Sequence, residues 1–179
     1  MLPIGPLMIE HRLIEKMIAL IKSGIDRFEH AGTFNLLFVE MATDFIRTYA
    51  DRCHHGKEEG ILFRDLNKKM LPGDQKQIME ELLDEHRQGR RAVRELAEAK
   101  ERYVSGDKDA LPDIFDRMRF ISDFYPKHIE KEDKGFFIPC MAHFSQDEKD
   151  LMLKEELEFD RNLIHEIYKK SIEEARLLL

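Results

Sequence analysis

The chain of 179 residues has little of what interrupts a helix, with only six prolines and nine glycines. Together with 42% apolar and 36% charged residues, that scarcity excludes a disordered chain and disfavours a sheet protein, and it suits long amphipathic helices. An excess of basic charge is also missing. The net charge is -7 and no block of Lys and Arg relieves it, so neither nucleic acid nor an anionic membrane surface is an expected partner. Long apolar runs are missing too. The stretch Met1-Leu2-Pro3-Ile4-Gly5-Pro6-Leu7-Met8-Ile9 is short and carries no positive leader, so neither a signal peptide nor a membrane span is expected there. Cys53 and Cys140 are the only cysteines. Two are too few for a disulfide framework, which makes a reducing cytoplasm the expected location. Both read as small buried hydrophobes, with a redox role as the alternative for Cys53. The length fits one domain over 1–179 that buries its core without staples.

Within this background one spacing occurs twice. His54 and Glu58 form a His-x-x-x-Glu pair, and His128 and Glu132 form another 74 residues later. Residues four apart on a helix lie about one turn, or ~6 Å, apart on one face, so each pair can grip one metal centre. Each is followed by a further acid, Glu59 or Asp133, and then by an aromatic, Phe63 or Phe136 and Phe137. Two single histidines extend the repeat: His11 to His86 spans 75 residues, His11 to His54 spans 43 and His86 to His128 spans 42. In an antiparallel hairpin, residues equidistant from the turn share a height. The midpoints fall at 32.5, 70 and 107, within Ala31-Gly32-Thr33, Met70-Leu71-Pro72-Gly73 and Ser105-Gly106-Asp107, each a turn signal. Four histidines are thereby expected in one layer of an all-α, up-down-up-down four-helix bundle, with two glutamates one turn away.

The bundle is expected over about 7–139. A first helix begins after Pro6 and runs to about His30, and a second runs from Thr33 as N-cap to about Lys69. A third follows Asp74 as N-cap and ends near Val104. A fourth starts between Asp109 and Pro112, with Pro126 bending it just before the site. Apolar residues spread around the second helix (Leu36, Val39, Phe45, Ile46, Tyr49, Leu62, Phe63) imply packing from beyond the bundle. Gly89, inside the third helix, reads either as a close-packing position or as space beside a metal. The capping box Ser145-Gln146-Asp147-Glu148 starts an additional C-terminal fifth helix over about 145–175, with Leu151, Leu157, Leu163, Ile164, Ile167 and Tyr168 among its apolar positions. It is expected to cover the hairpin that the second and third helices project about sixteen residues, ~24 Å, beyond the histidine layer.

The candidate metal ligands are His11, His54, Glu58, His86, His128 and Glu132. Four imidazoles and two carboxylates would saturate one octahedral ion, and zinc alone would need only four donors. Two divalent ions, bridged by Glu58 and Glu132 with two histidines each, use all six. The mixed nitrogen and oxygen donors favour two iron ions, with manganese or zinc as alternatives. The competing reading is an amphipathic bundle with polar residues scattered over exposed faces. His30, His55, His143 and His165 do not fit the layer and read as surface or structural residues.

These segments resemble the hemerythrin-like family, domains with His-His-x-x-Glu-type cation-binding motifs. The resemblance rests on Gly5 to Glu15, on Cys53-His54-His55-Gly56-Lys57-Glu58-Glu59-Gly60-Ile61-Leu62-Phe63, on Glu85-His86-Arg87-Gln88-Gly89-Arg90 and on Tyr125-Pro126-Lys127-His128-Ile129-Glu130-Lys131-Glu132-Asp133. It implies a four-helix bundle with a non-haem di-iron centre that reacts with oxygen, peroxide or nitric oxide. Oxygen carriers of the family have a second histidine one turn before the helix-3 ligand, where this chain has Leu82, and an aspartate at a five-residue spacing, where it has Glu132 at four. The departures argue against oxygen transport and leave one iron with fewer nitrogens. They bring the chain nearer to the hemerythrin domains of iron-sulfur cluster repair proteins and of the iron-sensing ubiquitin-ligase subunit. The ferritin and rubrerythrin class uses Glu-x-x-His pairs, and no histidine here has a glutamate three residues before it.

The expected function is therefore binding or sensing of a small diatomic ligand, oxygen or nitric oxide. A peroxidase, oxidase or nitric-oxide-reducing enzyme at the same site is the second reading, with Tyr125 as a proton donor. A metal-stabilised interaction domain is the third.

Overall fold

The computed structural model describes residues 1–161 and 164–178. The apolar position Leu163 lies outside them, as does the side chain of Ile164. Among the described residues there is no strand, and no helix is long and apolar enough to cross a membrane.

Helix α1, Ile4–Ala31, buries Leu7, Ile14, Ile18 and Ile25 along one stripe. It ends at Gly32, whose φ of 62° lets its N–H return to the Phe28 carbonyl; a residue with a Cβ pays for that left-handed conformation. Helix α2 runs over 36–66. Its N-cap is Asn35, not Thr33: the Asn35 side chain accepts from the Phe38 N–H while its amide donates to the Leu178 carbonyl, so a contact with the far end of the chain decides the cap. Helix α3, Gly73–Val104, starts one residue before Asp74, which lies in the first turn. Helix α4 covers 111–140 and passes through Pro126 without a break.

Helix α1 packs on α2 and α4, and α3 packs on α2 and α4, so the four helices close a ring around one axis. Two apolar clusters fill it. The upper one joins Ile14 to Phe28, Phe38 to Ala50, Ala92 to Ala99 and Ile114 to Ile129. The lower one joins Leu7, Leu62, Phe63, Leu82, Phe136 and Phe137. Between them lies a layer of fully buried histidines and glutamates.

At that layer two helices widen. Residues Ile46–His55 and Glu58–Phe63 of α2, and Lys131–Phe136 of α4, are wound with i→i+5 hydrogen bonds. Such wide turns concentrate at functional sites. Successive side chains on them are separated by less than the ~100° of an α-helix, so neighbours in sequence can face the same interior.

The expected single fifth helix is two helices. α5, Gln146–Phe159, starts at the predicted capping box, with the Ser145 and Glu148 hydrogen bonds both made. α6 is Ile164–Leu177. The C-cap of α5, Asp160, turns its carboxylate inward to the buried Lys57 ammonium, with both oxygens at 2.7 Å. α5 lies on the projecting end of α2 through Arg64–Glu155 and Lys69–Glu148 and inserts Met152 into the lower core. α6 returns along α1 and α2 and adds Tyr168, Ile172 and Ala175 to the upper core, supplying the extra packing that the second helix implied. Leu151, Leu157 and Ile167, expected as apolar positions of one helix, face solvent.

Gly89 is a packing position: a Cβ there would sit 3.6 Å from Phe124 and from the Tyr125 hydroxyl, ordinary contact distances. Gly89→Ala is accordingly expected to stabilise the fold by up to ~1 kcal/mol through helix propensity, read as a raised denaturation midpoint. Glu156 is the opposite case, fully buried with no hydrogen-bond partner on either oxygen. Burial pushes its pKa up to about 8, against the pull of Lys57 and aided by Glu10 and Asp160. The folded state therefore holds a proton that the unfolded chain, near pH ~4.3, releases, and stability falls as pH rises from there towards 8. Glu156→Gln should raise stability at pH 8 by a few kcal/mol, on the order set by such shifts, with no gain below pH ~4; urea titrations at both pH values read it directly.

Candidate metal centre

All six candidate ligands reach the buried layer, one histidine from each bundle helix and a glutamate from α2 and α4. Ligand atoms of His11, His54, Glu58 and Glu132 lie within 4.8 Å of one another, and so do those of a second group, His55, His86 and His128. The glutamates join the groups. Glu58 turns Oε1 to His54 Nε2 at 3.5 Å and Oε2 to His86 Nε2 at 3.4 Å. Glu132 turns Oε2 to His11 Nε2 at 3.1 Å, and Oε1 to His128 Nε2 at 3.3 Å and His86 Nε2 at 3.6 Å. Each carboxylate thus has one oxygen toward each histidine pair.

The opposite edge of each ring is fixed. The Nδ1–H of His54 donates to Glu10 at 2.8 Å, that of His86 to Glu59 at 2.7 Å, that of His128 to Glu85 at 2.8 Å and that of His11 to Asp133 at 2.7 Å. These four bonds run around the bundle, from α1 to α2, α2 to α3, α3 to α4 and α4 back to α1. Every supporting carboxylate neighbours a candidate ligand on its own helix. Each is also paired with a cation from the helix whose histidine it holds: Lys57, Arg90, Lys131 and Arg12 respectively. An acceptor-only carboxylate holds the proton on Nδ1 and leaves Nε2 with a free lone pair pointing inward.

The inward atoms have no hydrogen-bond partners. Nε2 of all four histidines and both oxygens of Glu58 and Glu132 are buried and unpaired, an arrangement costly for an apolar interior and natural for cation ligands. Protonation without metal tells the same story. Burial and the charge of Glu132 hold the Glu58 carboxyl well above the usual range. Against burial, Asp133 and Glu132 raise His11 to about 9. Burial and the proximity of His11 push His54 down to about 4. Protons collect where positive charge is needed, and a bound cation would displace them. The residues fit a metal.

Several features of the site escaped sequence reasoning. Glu10 and Glu85 each precede a candidate histidine, a signal as repetitive as the ligands themselves, and Lys57 and Lys131 each follow one by three. His55, expected outside the layer, is 1% exposed within it. His30 and His143 stand apart, bonded to the Asp26 carbonyl and to Gln75, whereas His165, bonded to Tyr49, turns Nε2 to Asp160 at 3.1 Å and to Glu10, the support of His54, at 3.5 Å. Leu82 is core. Cys53 is buried with its thiol pushed up to about 12, chiefly by burial, which leaves it protonated and unreactive. Tyr125 lines a surface cavity of about 190 Å³ with Gly89, Val93 and Ala97, rimmed by Arg47, Asp51, Arg90 and Arg94; its ring lies parallel to that of His55 at 6.3 Å.

The family model of the hemerythrin HHE cation binding domain matches residues 2–138. No match was found among curated proteins or among solved structures. A match over three-quarters of the chain, across the helices that bring these histidines and glutamates together, shows that the chain belongs to the hemerythrin HHE cation-binding domain family.

Proposed function

We propose that this protein holds a non-haem di-iron centre and uses it to bind or sense a small diatomic ligand, oxygen or nitric oxide. The supporting observation is the set of eight buried, unpaired donor atoms divided into two groups by two glutamates. In this reading α1–α4 run alternately up and down, His11 and His54 would hold one ion and His86 and His128 the other, and Glu58 and Glu132 would each offer carboxylate oxygens to both. Iron in such a place supplies electron exchange and coordination positions open to oxygen, nitric oxide or peroxide.

The chain's own residues do the rest. The four carboxylates aim the imidazoles and fix their tautomers. Phe137 stacks on His11 at 5.6 Å and Phe63 on His86 at 5.9 Å, walls that exclude water and favour a small uncharged ligand over an ion. A surface cavity of about 330 Å³ reaches His128 itself, between Glu85, Phe124 and Lys127, and Tyr125, whose ring lies 6.4 Å from that of His128, is the residue that supports a redox-enzyme reading.

Anaerobic loading with ferrous iron is expected to give about two irons per chain, a ratio set by the two donor groups, with a new absorption band on adding air or nitric oxide. A spectrum unchanged by both gases would sink the sensing role. Catalytic turnover of peroxide or nitric oxide, abolished in Glu132→Ala, would convert the reading to an enzyme. Glu85→Ala, which touches no metal but frees His128 Nδ1, should weaken iron binding by ~10- to 100-fold while leaving the circular-dichroism spectrum helical; unaltered affinity would show that the carboxylate ring does not tune the ligands.

A further inference from the structure

His55 is, among the described residues, the buried histidine that the six-ligand set does not use. It follows His54 inside the wide turns of α2, where successive side chains diverge less than on an α-helix, and both imidazoles enter the interior. Neither of its ring nitrogens has a hydrogen-bond partner. The nearest acid, Asp51, stands 3.5 Å from Nδ1 and is already bonded to Arg90 at 2.7 Å. A buried imidazole that gives up water on both nitrogens without replacement is costly, and the position does not require one. Its counterpart in the internal repeat, 74 residues on, is Ile129, 3% exposed and packed in the upper core. Hydrocarbon serves there; a histidine at 55 calls for a different reason.

Its neighbours supply that reason. The His55 ring lies face to face with His86, centroids 3.9 Å apart and planes 11° from parallel. It meets His128 edge-on at 5.6 Å and 83°. One nitrogen from each of the three falls within 4.8 Å of the others, close enough for one ion once the stacked His55 and His86 rings turn their lone pairs toward it.

We infer that His55 is a seventh ligand, giving the metal position held by His86 and His128 a third nitrogen. The inference rests on the di-metal reading above and changes its consequence. The nitrogen that Leu82 withholds from α3 is returned from α2, so the position expected to be poorer becomes the richer: three nitrogens there against two, from His11 and His54, at the other. His55 is also the only one of the five whose Nδ1 is not bonded to a carboxylate, which makes it the least firmly aimed donor of the centre.

The test compares wild type, His55→Leu and His11→Ala. Each is titrated with cobalt(II) alone under anaerobic conditions, following metal per chain and the d–d absorption that reports coordination number. In His55→Leu one of the two cobalt ions should bind as in wild type, while the other binds at least ~10-fold more weakly with an altered d–d band. The metal-free variant should melt no lower than wild type, because leucine removes two unpaired nitrogens. Free imidazole added to His55→Ala should restore the band, which keeps the test decisive if leucine packs badly. Two cobalt ions bound by His55→Leu with unchanged affinity and spectrum would overturn the inference; if His11→Ala loses metal in the same experiment, the di-metal reading stands without it. Failure of wild type to bind two ions would remove both.

Discussion

The structure depends on one interaction made four times: an imidazole Nδ1–H donated to a carboxylate on the adjacent bundle helix. Each bond fixes a ring's tautomer and tilt, and each also ties two helices at one height. Because the four close a circuit through α1, α2, α3 and α4, the bundle's register and the centre's geometry are set by the same hydrogen bonds. Apolar packing above and below the layer holds the helices together, but close packing alone would tolerate small slides between smooth stripes. Charged hydrogen bonds of 2.7–2.8 Å do not. Against burial, the histidines together with Lys57, Arg90 and Lys131 hold Glu10, Glu59 and Glu85 below the usual carboxylate range, and Arg12 pairs with Asp133.

Much of this was legible in the sequence. His-x-x-x-Glu twice, a lone histidine twice, and three turns at the midpoints are strong constraints because a shared layer in a hairpin bundle is a problem of counting residues. What could not be counted was the helix itself. Wide turns have no composition of their own, so nothing in Cys53-His54-His55-Gly56 tells which of two adjacent histidines faces inward, and a regular helix would have allowed only one. The same widening lets Glu58 and Glu59, and Glu132 and Asp133, divide into an inward-facing donor and a support for the next helix. The break after Phe159 was hidden for another reason. The C-cap there, Asp160, pairs with the buried Lys57 ammonium about a hundred residues away, a contact that no local pattern shows. Asn35 displaced Thr33 as N-cap through a similarly distant contact with Leu178.

The internal repeat also shows where the two halves part. Ligands, supporting acids and flanking lysines recur with a period of 74 or 75, whereas His55 and Ile129 do not correspond. A pseudo-symmetric scaffold that places matched groups on both sides of an axis makes two equal sites by default. The mismatch stands at the layer itself, with His55 in one half where the other has Ile129.

The Lys57 ammonium lies between Glu10, which orients His54, and Asp160, which forms the turn between α5 and α6. The segment beyond residue 138, outside the span matched by the family model, therefore shares a buried charge with the centre. Sharing of this kind is reciprocal by thermodynamic necessity: whatever strengthens the hold on His54 tightens the seating of the last two helices, and whatever lifts those helices loosens His54. The end of the chain is in this sense a lever on the layer, with its fulcrum at a single lysine.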